Sequence, residues 1–71
     1  MGIDEFNRRM IEIEAANQDV FKGRRVFSYF ELDSYKSTGT YIIDIDPAKR
    51  LPQNVRDEIQ KAFDKFLVKR S

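Results

Sequence analysis

Two β-rich runs separated by a short polar connection constrain this chain more than any other feature. The first is Arg25-Val26-Phe27-Ser28-Tyr29-Phe30-Glu31-Leu32-Asp33, and the second is Thr40-Tyr41-Ile42-Ile43-Asp44-Ile45-Asp46. Aromatic and β-branched residues fit a pleated, half-buried surface. The connection Ser34-Tyr35-Lys36-Ser37-Thr38-Gly39 is short and ends in glycine, so the two runs are expected to fold back as a β-hairpin. Side chains then alternate between faces. Setting Phe30 opposite Ile43, Leu32 opposite Tyr41 and Ser28 opposite Ile45 gathers one apolar face, and a slip of two residues preserves it. The other face carries Phe27, Tyr29 and Ile42 among Glu31, Asp33, Asp44 and Asp46.

A lone two-stranded hairpin is marginal in water, so the flanking segments must cover one side of it. Ile3, Phe6, Met10, Ile13 and Asn17 recur at alternating spacings of three and four, which predicts a helix over about 3–18. Asp4 and Glu5 fall in its first turn, where the helix dipole favours acids. Asn17, polar on an apolar stripe, reads either as the fraying end of this helix or as a register device in a helix–helix seam. Gly23 breaks the pattern into a loop. Asp46-Pro47-Ala48-Lys49 has the residues of a type I turn, and Pro52 suits the first turn of a helix. From there Val55, Ile59, Ala62, Phe63, Phe66 and Leu67 form the clearest helical stripe, over about 52–69. The predicted fold is α+β in one small domain spanning 1–71. Its order is α-β-β-α, two helices packed on an antiparallel β-hairpin with strands at about 25–33 and 40–46.

Size then bears on function. Ordering 71 residues costs on the order of 100 kcal/mol of conformational entropy, and apolar burial only just offsets this in so short a chain. With no Cys, no disulfide can help. A homodimer that pairs two hairpins into a four-stranded sheet is therefore one expected arrangement.

The lack of Cys and His also removes thiolate and imidazole chemistry. The serines and threonines have no His to activate them, and three glycines make no phosphate-cradling loop. Asp44 and Asp46, with Glu31 beside them, offer oxygen ligands of the kind Mg²⁺ takes, but simple alternation produces such a pair on any solvated strand. The sequence thus predicts no catalysis, no cofactor and no metal. Thirteen Lys+Arg against twelve Asp+Glu leave +1, so no whole-molecule field marks a partner. No apolar run approaches the roughly 18–20 residues of a membrane span, and Asp4 and Glu5 stand where a signal peptide carries bases. The expectation is a cytoplasmic protein without a membrane partner.

Apolar and acidic groups interleaved on the second hairpin face resemble the anchors and charged rim of a protein-binding surface. The partner-binding residues predicted are Phe27, Tyr29 and Ile42 as anchors, with Glu31, Asp44 and Asp46 steering a basic surface. The function expected is that of a small intracellular regulator, an adapter or inhibitor of another protein. By class-level analogy alone, such compact charge-dense chains are frequent among phage and mobile-element accessory proteins. The alternative is a nucleic-acid-binding accessory protein using Lys61, Lys65 and Lys69, an i, i+4, i+8 row whose mutual repulsion a phosphate backbone would relieve.

Overall fold

In a computed structural model, residues 2–68 are described. The order is α1 (Gly2–Ala16), α2 (Gln18–Phe21), a 3-10 turn (Val26–Tyr29), β1 (Phe30–Tyr35), β2 (Thr40–Ile45) and α3 (Gln53–Phe66). The α+β architecture expected from the sequence is present: α1 and α3 pack against an antiparallel hairpin, with the short α2 added. No helix among the described residues is long and apolar enough to cross a membrane.

The stripe on α1 buries Phe6, Met10 and Ile13, and that on α3 buries Val55, Ile59, Ala62 and Phe63. These two faces meet each other and close over the hairpin's inner side, where Phe30, Leu32, Tyr41, Ile43 and Ile45 are partly buried. Phe6 sits at the centre, fully buried, with its ring edge-on to Phe30 at 5.7 Å. Asn17 resolves as the end of α1. Its Nδ2 donates to the Ile13 carbonyl at 2.8 Å, and its own carbonyl accepts from Val20 and Phe21, which starts α2 after a break. Pro52 stands just outside α3 rather than in its first turn; its extended backbone carries the carbonyl that accepts from Val55 and Arg56.

The hairpin differs from expectation in two ways. Its register pairs Phe30 with Ile45, Leu32 with Ile43 and Ser34 with Tyr41, two residues from the predicted alignment, so both faces keep their members between residues 30 and 45. The first strand also begins five residues late, because residues 26–29 wind into a 3-10 turn. Three residues per turn align Val26 with Tyr29, and both are buried. Glu14 fixes the start of that turn: its Oε1 accepts the Val26 N–H at 2.8 Å and pairs with Arg25 Nε at 3.4 Å.

Candidate functional site

The 3-10 turn and the turn after β2 decide which predicted site residues face solvent. Tyr29 does not. It is 6% exposed, held between the edge of Phe21 at 5.5 Å and the Arg50 guanidinium at 5.3 Å. Asp46 does not either: at 3% exposure it is a buried carboxylate. Its backbone N–H still donates to the Tyr29 carbonyl, at 2.6 Å, but its φ of 48° turns the chain away from the strand direction. Short polar residues tolerate that left-handed conformation better than most. The carboxylate then accepts the Arg50 N–H at 2.8 Å and the Leu51 N–H at 2.7 Å, with Arg56 Nε 3.9 Å away. The Lys49 N–H closes the predicted turn onto the Asp46 carbonyl at 2.8 Å. Tyr29, expected as a surface anchor, and Asp46, expected as a steering acid, are both interior supports, because strand alternation ends at Phe30 and Ile45. The acidic trio Glu31, Asp44 and Asp46 is thereby dispersed, and no group of three or more metal-ligating side chains is found among the described residues.

Phe27 is 38% exposed but packs on the inner-face residue Phe30, ring centroids 5.9 Å apart, with Arg25 6.0 Å from its own ring. It flanks the core and does not join the outer face of the sheet. Glu31, Asp33, Ile42 and Asp44 do share that face, and the extension of β1 to Tyr35 adds Tyr35 with Thr40 opposite it. Asp33 is directly opposite Ile42, and Tyr35 opposite Thr40. Ile42 is 46% exposed and Tyr35 53%. Tyr35 belongs to the face because alternation runs two residues past the predicted end of the strand. The polar composition of Ser34-Tyr35-Lys36 reads locally as a connection and hides this extension of the strand.

The electrostatics of this face are one-sided. Glu31 and Asp44 are direct cross-strand partners, and like charges so placed oppose sheet pairing. Asp33 adds a third acid next to Glu31's strand position, while Lys36 lies in the turn beyond the strands. Among the described residues, none of the three carboxylates has an ion pair or side-chain hydrogen bond.

The basic row on α3 has a different setting. Lys61 and Lys65 line a cleft with Arg9 and Glu58, and Lys65 lines a second with Glu5, Arg8, Arg9 and Glu12. Arg9 bridges the helices to Glu58 at 3.6 Å and reaches Glu12 at 3.3 Å. Acids therefore interleave with the bases along this groove. Lys69 lies outside the described residues. No family model, curated protein or solved structure matches the chain.

Proposed function

We propose that this chain is a small binding protein, an adapter or inhibitor, that engages a basic partner protein through the outer face of its hairpin. The observation that carries this reading is the Glu31–Asp44 pair, two acids set opposite each other on an uncovered strand face. In the free protein that arrangement opposes strand pairing. A cationic surface laid over it converts the cost into attraction, while Ile42 within the strand and Tyr35 at its turn end supply apolar contact. A second copy is the weaker occupant of this region. Edge-to-edge pairing would double the carboxylates on one face without supplying a base.

The test is affinity capture from native host lysate with the wild-type chain and three variants. Asp44→Lys and Ile42→Asp are expected to lose the captured protein, and Lys61→Glu to keep it. Capture is also expected to weaken as salt rises, since exposed charges are screened over about 8–10 Å. Retention of the same partner by Asp44→Lys at wild-type strength rejects the face as the binding surface.

A further inference from the structure

A second charged site lies where the α2 corner meets the loop after β2. A cleft of about 340 Å³ is lined by Val20, Phe21, Lys22, Arg24, Tyr29 and Arg50. Three of these side chains are cations and none is an acid. Nor do the acids of neighbouring segments supply a partner: Glu14 holds Arg25 and the Val26 N–H, and Asp46 holds the Arg50 and Leu51 N–H groups. Asp19 lies on α2 and does not line the cleft. No ion pair involves Lys22, Arg24 or Arg50 among the described residues.

The backbones that carry these cations are pinned. The Lys22 N–H donates to Gln18 at 2.8 Å, the Arg24 N–H to Phe21 at 2.9 Å, and the Arg50 N–H to Asp46 at 2.8 Å. Lys22 holds φ 51° and Gly23 φ 82°, so two successive left-handed residues throw the chain back and bring Lys22 and Arg24 to one cleft. Arg50 Cζ lies 5.3 Å from the centroid of the Tyr29 ring, and its side chain makes no hydrogen bond or ion pair among the described residues, so its guanidinium donors can serve a bidentate oxyanion.

We propose that this cleft is a phosphate-binding site. Convergent, unpaired like charges on fixed backbone call for an anion of high charge density. A phosphate monoester brings up to two negative charges and three acceptor oxygens into a small volume, and arginine forks match it bidentately. A cleft of about 340 Å³ has room for a phosphate group together with the molecule that carries it. The phosphate belongs either to a small phosphorylated molecule or to a nucleic-acid backbone.

Calorimetric titration of the full chain at 50 mM salt with pyrophosphate, and separately with an oligo-dT strand, tests the site. Pyrophosphate is expected to bind saturably, at least tenfold weaker in Arg24→Ala and Arg50→Ala, and unchanged in the distant Lys61→Glu. The Arg24 side chain is exposed and makes no hydrogen bond or ion pair among the described residues, so an unaltered melting curve for Arg24→Ala separates lost binding from lost folding. Oligonucleotide binding that pyrophosphate displaces, with a log–log salt slope of about −0.7 for each phosphate contacted on a single strand, assigns the phosphate to nucleic acid. Pyrophosphate binding without oligonucleotide binding assigns it to a small ligand. Binding of neither probe overturns the proposal, as does full binding by Arg24→Ala or a polyglutamate peptide that outcompetes pyrophosphate.

Discussion

Two regions a few residues apart along the same strands have opposite fates. On the outer face of the hairpin, Glu31 and Asp44 stand opposed and unpaired in solvent. One pleat further along, at the corner where hairpin meets helices, Tyr29 and Asp46 are still joined by a backbone hydrogen bond but are buried. Strict alternation would put all four on one side. The corner escapes alternation because Tyr29 is wound into a 3-10 turn and Asp46 adopts a left-handed conformation. An aspartate thus stabilises the fold at position 46 and loads it with repulsion at position 44. What separates them is backbone conformation.

The sharpest way to break the contrast is to truncate the corner's aromatic. Tyr29→Ala removes a buried ring that meets Phe21 edge-on and carries the Arg50 guanidinium. Aromatic-to-alanine changes in cores cost roughly 3–5 kcal/mol, which for a domain of this size is a fall in Tm on the order of 15 °C or more. Tyr35→Ala, on the outer face, is expected to stay within about 0.5 kcal/mol of wild type. Similar melting shifts for the two tyrosines would erase the distinction between the regions.

Asp46→Ala follows in size. It leaves the Arg50 and Leu51 N–H groups without their acceptor and Arg56 without its nearest carboxylate, and it puts alanine at a positive φ. Unsatisfied buried donors cost about 1–3 kcal/mol each, and such losses are not additive; a total of roughly 2–4 kcal/mol is expected from urea denaturation. Asp46→Asn, which keeps an acceptor oxygen and tolerates the left-handed region, should recover part of it. A loss below about 1 kcal/mol for the alanine variant would make Asp46 a bystander at the corner.

These two residues also mark where the sequence stops being legible. The helical stripes are plain because Phe6, Met10 and Ile13, or Val55, Ile59 and Ala62, repeat often enough to establish a period. The hairpin faces are equally plain from Phe30 to Ile45, since a two-residue slip leaves them intact. Residues 26–29 give no such signal. Val-Phe-Ser-Tyr has strong β propensity, and what overrides it is the distant carboxylate of Glu14, which seizes the Val26 N–H across a separation of twelve residues. A tertiary contact of that kind leaves no mark in local composition. Asp46 was legible as a turn former, but its burial depends on Leu51 and Arg56 folding back over it. The candidate face was therefore visible in outline, with its ends misplaced by the corner.

The smallest effect is the most informative about function, because its sign is unusual. Asp44→Lys replaces the like-charged partner of Glu31 with an opposite one, directly across the strands on an exposed face. Cross-strand pairs of opposite charge contribute roughly 0.2–1 kcal/mol, so the variant should melt a few degrees above wild type, with the gain shrinking as salt rises. Most substitutions destabilise, and one that stabilises the free chain while abolishing partner capture is the signature of a residue retained for binding. If Asp44→Lys instead destabilises the free chain, the wild-type pair carries no repulsion, and the electrostatic basis for reading this face as a basic partner's surface is removed.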